Sequence, residues 1–147
     1  MSRYDPIEAP MPVLNDLKET ALYVTDLERA TTFYRDVLGL PILVVDSRFC
    51  AFDVAGKHIL LLFTRGASLE ATELPGGTIP PHDGAGQIHA AFAIDAEELP
   101  AWESHLLAHR IDILSCVSWP RGGKSVYFRD PDGHLLELLT PGVWSTY

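Results

Sequence analysis

No run of this chain is apolar for long enough to cross a membrane as a helix. Its first 16 residues are proline-rich and acidic, where a secretory leader would be basic and then apolar, so none is expected. Basic residues are scarce: 11 Lys and Arg stand against 20 Asp and Glu, a net charge of −9, and they form no cluster. Nucleic-acid binding, which needs a basic face, is set aside. The acidic surplus favours solubility and cationic ligands over anionic polymers. Cysteine is nearly absent. Cys50 and Cys116 stand alone, in no CxxC pair or framework of bridges, so two buried free thiols and a cytoplasmic location are expected. There is also no HExxH or comparable local run of metal ligands.

What is present is ordinary globular material: 147 residues, 47% hydrophobic and 21% charged, enough for one domain. Pro6, Pro10 and Pro12 predict an extended arm over residues 1–16. A strand over 18–24 alternates by face, with Glu19, Ala21 and Tyr23 on one side and Thr20, Leu22 and Val24 on the other. Asp26 is a good N-cap, and Leu27, Ala30, Phe33, Tyr34, Val37 and Leu38 form a helical stripe that Gly39 and Pro41 end. Strands follow over 42–45, 49–54 and 59–63, which closes a first module at 17–64.

Residues 65–86 hold Pro75, Gly76, Gly77, Pro80, Pro81, Gly84 and Gly86 and read as a long functional connector. The first pattern then repeats over 87–140, before a tail over 141–147. A strand at 88–94 precedes a helix starting near Leu99-Pro100, and strands over 113–117, 125–129 and 134–139 complete it. Glu19-Thr20-Ala21-Leu22 superposes on His89-Ala90-Ala91-Phe92. Asp53-Val54-Ala55-Gly56-Lys57-His58 superposes on Asp130-Pro131-Asp132-Gly133-His134 with one residue more, which sets Leu61 opposite Glu137. Two strand–helix–three-strand modules, each with one helix-covered face, leave the other faces to make a cleft.

Parity then selects candidates. In both opening strands the bulky residues share one face, while the other carries small residues (Ala21, Ala91, Ala93) with Glu19 and His89, which leaves room for a ligand. Glu137 stands among leucines in the last strand, and a buried carboxylate needs a compensating arginine, proton or metal ion. Arg48 and Arg129 are the plain candidates to pair with it. Two carboxylates and an imidazole facing one cleft suit a divalent metal with open positions. His58 and His134, after turns, are expected in solvent. His82 in the connector and Arg121 beside Lys124 in a Gly-rich turn are candidate substrate contacts, with Arg48 and Tyr127.

Four stretches carry a family resemblance: Ala21-Leu22-Tyr23-Val24-Thr25-Asp26-Leu27-Glu28-Arg29-Ala30, Phe33-Tyr34-Arg35-Asp36-Val37-Leu38-Gly39-Leu40, Ile88-His89-Ala90-Ala91-Phe92-Ala93, and the run from Tyr127 to Glu137. With them, nearly everything after Leu17 resembles the vicinal oxygen chelate superfamily, which includes glyoxalase I, fosfomycin-resistance proteins, extradiol dioxygenases and bleomycin-resistance proteins. The resemblance implies an α+β fold of two paired βαβββ modules forming a cup-shaped mixed sheet around a central cavity. It also implies metal positions at Glu19, His89, Glu137 and about Leu61. Leucine cannot ligate, which leaves three protein ligands and counts against the four-ligand glyoxalase I pattern. The histidine that extradiol enzymes carry upstream of the last hairpin is missing near Ser118-Trp119-Pro120. Three ligands match the fosfomycin-resistance members in number but not in type.

Two function classes follow. One is a divalent-metal enzyme (Mn, Fe, Ni, Mg or Zn) acting as isomerase, lyase, transferase or dioxygenase on a small substrate with adjacent oxygens. In it a detachable Glu137 is the candidate base. The other is a metal-free, bleomycin-resistance-type protein that sequesters a small molecule. The resemblance implies a homodimer in either case.

Overall fold

The structure, a computed structural model, describes residues 10–147. Most of the arm expected over 1–16 lies outside them. Asp26 caps the first helix as its sequence position predicts: its Oδ1 accepts the Arg29 N–H at 3.1 Å, a contact worth about 1 kcal/mol. The helix, α1 (Leu27–Asp36), buries Ala30, Phe33 and Tyr34. The chain leaves it through Gly39 at φ 70°, a conformation that glycine adopts without steric cost.

Around it lie β1 (Glu19–Val24), β2 (Ile42–Val45), β3 (Phe49–Val54) and β4 (His58–Thr64), in spatial order β1-β4-β3-β2. The second module repeats this after the connector. It consists of β7 (His89–Ala93), a single 3₁₀ turn (Ala96–Glu98), α2 (Leu99–Ala108), β8 (Ser115–Ser118), β9 (Lys124–Arg129) and β10 (Leu135–Leu139), in order β7-β10-β9-β8. Each sheet is mixed. Its first and last strands run parallel and its other neighbours antiparallel. The internal superposition holds at the level of register, because Ala21 pairs with Leu61 as Ala91 pairs with Glu137.

The parity holds too. Leu22, Val24, Leu60 and Leu62 of the first sheet are buried, and so are Val126, Phe128, Leu136 and Leu138 of the second. All belong to one apolar cluster with Phe33, Tyr34, Leu99 and Leu106 from the helices. Each such side chain contributes about 1.5–3 kcal/mol by leaving water. The two sheets therefore share a core through their helix-bearing faces, and their opposite faces stay open.

Three expectations are corrected. His134 is fully buried, not solvated. Its Nδ1 accepts the Ile88 N–H at 2.9 Å and its Nε2 donates to the Tyr23 carbonyl at 2.7 Å, tying β1 to the start of β7. Cys116 is exposed while Cys50 is buried: β8 is an outer strand of its sheet, whereas β3 lies between β4 and β2. The strand expected over 113–117 runs from Ser115 to Ser118, since Ile113 belongs to the loop that leaves α2. The connector also has structure of its own. β5 (Thr72–Leu74) and β6 (Gly77–Ile79) pair as a hairpin around Pro75-Gly76.

Candidate metal centre

Alternation along β10 sends Leu136 and Leu138 into the core and Glu137 to the opposite face, yet Glu137 is only 5% exposed. Its Oε2 accepts the Ser125 hydroxyl at 2.5 Å, and that hydroxyl accepts the Trp119 indole N–H at 2.9 Å. Its Oε1 lies 3.2 Å from Nε2 of His89. Neither arginine proposed to neutralise Glu137 does so. Arg48 donates to the Thr72 hydroxyl, and Arg129 donates to the Gly133 carbonyl and to Gln87.

The His89–Glu137 contact has a definite electrostatic meaning. Nδ1 of His89 lies 2.8 Å from the Leu135 carbonyl, a pure acceptor, so Nδ1 carries the proton. In the neutral ring Nε2 then presents a lone pair to a carboxylate oxygen. Two lone pairs at that distance repel unless a proton or a metal cation lies between them. A histidine oriented by a carbonyl behind it, next to a carboxylate held by a hydroxyl, is a donor set suited to a divalent ion. Tyr127 pairs with Glu137 across the strands, its ring centroid 6.4 Å from that of His89. Burial first, and then the charge of Glu137, pushes its phenol above the usual range, so it keeps its proton.

Glu19 is placed elsewhere. It opens β1, is exposed, and lines a cavity of 480 Å³ over the open face of the first sheet, with Ala21, Arg48, Leu61 and His82 among its neighbours there. Among the described residues no three His, Cys, Asp or Glu side chains gather closely enough to hold a metal. The physical reason lies in the shared core. Modules joined through their helix-bearing faces do not turn their open faces toward each other. His82 Nδ1 lies 2.7 Å from the Tyr23 hydroxyl. Arg121 is exposed in the β8–β9 turn and does not line that cavity.

A family model described as the Glyoxalase/Bleomycin resistance protein/Dioxygenase superfamily matches residues 16–138. The chain belongs to this superfamily. Among curated members it is similar to metallothiol transferase FosB of Bacillus licheniformis, 34% identical over 122 residues, covering 82% of this chain and 72% of that one. The FosB of Shouchella clausii is 29% identical over 130 residues, covering 87% and 82%. Among solved structures, a lactoylglutathione lyase from Agrobacterium tumefaciens superposes with a TM-score of 0.81 at 35% identity, over 90% of this chain and 98% of that one. The fosfomycin resistance protein FosX from Listeria monocytogenes shares the fold, with a TM-score of 0.65 at 23% identity over 89% and 97%.

Two supports of this superfamily member's site were not singled out from sequence. Ser125 lies two residues before Tyr127 in β9, so the two-residue period alone puts it on the Glu137 face. Thr72, the partner of Arg48, had no such signal, because it sits in a hairpin that only the Pro75-Gly76 turn hinted at.

Proposed function

We propose that this chain is a divalent-metal-dependent transferase acting on a small molecule that presents adjacent oxygens, in the manner named for its metallothiol transferase relatives. The observation that carries this reading is the approach of His89 Nε2 to the buried Glu137 Oε1, 3.2 Å apart, with Nδ1 turned to the Leu135 carbonyl. His89 and Glu137 hold the metal from one chain, and Glu19 of a second copy supplies a third ligand across a homodimer. Leu61 stands where a fourth ligand would be, leaving positions for substrate, and this separates the chain from a four-ligand lactoylglutathione lyase type. A bound divalent metal supplies Lewis-acid stabilisation of negative charge developing on a substrate oxygen. The neutral Tyr127 hydroxyl serves as a hydrogen-bond donor at the same face, and Ser125 holds Glu137 in orientation. One carboxylate-rich, single-histidine set suits Mn, Fe, Mg or Ni at least as well as Zn. A reducing cytoplasm suits a chain with two unbridged thiols.

The test is metal content after dialysis of the purified protein against a mixture of these ions. The wild type is expected to retain about one metal per chain. His89→Ala and Glu137→Ala are expected to lose it while keeping their circular dichroism. A folded wild type that retains no metal sinks this reading and leaves a metal-free small-molecule binding protein in its place.

A further inference from the structure

The open face of the first sheet holds a second chemistry. Arg48 is half-buried in the wall of the 480 Å³ cavity, whose floor includes Phe49, Leu61 and Phe63. Its guanidinium donates to one neutral group, the Thr72 hydroxyl, at 3.1 Å. No carboxylate among the described residues pairs with it. Asp46, two residues away, is engaged by the backbone N–H groups of Arg48 and Phe49. A guanidinium has five N–H donors in a planar fork that matches an oxyanion. Among the described residues most of that fork is unused, in a setting where an unpaired charge is costly.

The connector roofs this face. The backbone N–H of His82 donates to the Ser68 carbonyl at 2.9 Å, and Asp83 accepts the Gly66 N–H at 3.0 Å. Thr72 and Ile79 of the β5–β6 hairpin line the cavity. His82, whose Nδ1 lies 2.7 Å from the Tyr23 hydroxyl, lines the same cavity and adds an imidazole to its wall.

We infer that this cavity is a subsite for the anionic end of the substrate, a small molecule with an apolar body and a carboxylate or similar oxyanion, gripped by Arg48 with His82 beside it. The inference rests on the proposed metal reading only for which molecule is converted. There, Glu19 of the same cavity is a metal ligand, and the chelating oxygens of the substrate lie at its end. A volume of this size accommodates a small organic molecule.

The test is calorimetric titration of the metal-free full-length protein with 3-phenylpropanoate and, separately, with its uncharged amide. Metal-free protein is used so that chelation cannot create a preference for the acid. The acid is expected to bind at least roughly tenfold more tightly than the amide. That preference disappears in Arg48→Gln and shrinks in Thr72→Val. Equal binding of acid and amide, no binding of either, or a preference that survives Arg48→Gln overturns the inference. If Arg48→Gln does not fold, Thr72→Val decides, and an undiminished preference there overturns it. A wild type that retains metal but shows no preference sinks the subsite alone. A preference in a protein that takes up no metal upholds the subsite and sinks the metal reading.

Discussion

Glu137 is the residue on which the second module turns, and its two oxygens are used differently. Oε2 is fixed by Ser125, itself held by the Trp119 indole, so Oε1 is the oxygen left for His89 and for a cation. Ser125→Ala removes the donor without altering any of the three proposed ligands. Partners that orient a ligand in this way typically matter about 10–100-fold in metal affinity. The variant is therefore expected to stay folded and to lose metal affinity within that range, read by competition against a chromophoric chelator. An unchanged affinity would mean that β10 alone orients the carboxylate. The same logic separates Glu137 from Glu19. Glu137 is surrounded by groups that fix it, while Glu19 stands exposed at the start of its strand and lacks comparable support among the described residues of its own chain.

Between elements, the join of the modules depends on the β9–β10 turn. Asp130 accepts the N–H groups of Asp132 and His134 on one oxygen and the Tyr34 hydroxyl on the other, which anchors the turn to α1. His134 continues the join from the turn to β1 and to the start of β7. His134→Ala leaves the part-buried Ile88 N–H and Tyr23 carbonyl without their partner. Each loss costs about 1–3 kcal/mol. A urea midpoint lowered accordingly, with an unchanged slope, is the expected result, and an unmoved midpoint would show that water replaces the ring. Much of this level was legible in the residues. The alternation of β1 and β10 identified the core faces, Asp26 and Gly39 bounded α1, and Asp130-Pro131-Asp132-Gly133 marked the turn. Burial of His134 was not legible. Local period says which way a side chain points within its own sheet, and His134 is buried by the end of a strand more than a hundred residues away. Cys116 was misplaced for a related reason, because period does not tell an outer strand from an inner one.

In the whole molecule, the helix-bearing faces are used up within the chain, while the faces bearing Glu19 and His89 remain open. β1 and β7 are both outer strands of their sheets, so each keeps a free edge. A groove of 1020 Å³ runs between them, lined by Glu19, Thr20 and residues from Ala90 to Asp95. All four residues of β2 are exposed despite being Ile42, Leu43, Val44 and Val45, the kind of unpartnered apolar edge that a second subunit covers. A two-fold axis that sets the first module of one copy against the second module of the other would bring Glu19 of one to His89 and Glu137 of its partner, twice. Mixing variants tests this directly. Glu19→Ala and the double variant His89→Ala/Glu137→Ala are each expected to bind no metal alone. Unfolded together and refolded, they form mixed dimers. If ligands come from two copies, each mixed dimer carries one intact site and one that has lost all three ligands. Random pairing then restores roughly a quarter of the wild-type metal content. If all three ligands belong to one chain, every site in every pairing is broken, and metal content stays at the level of the separate variants.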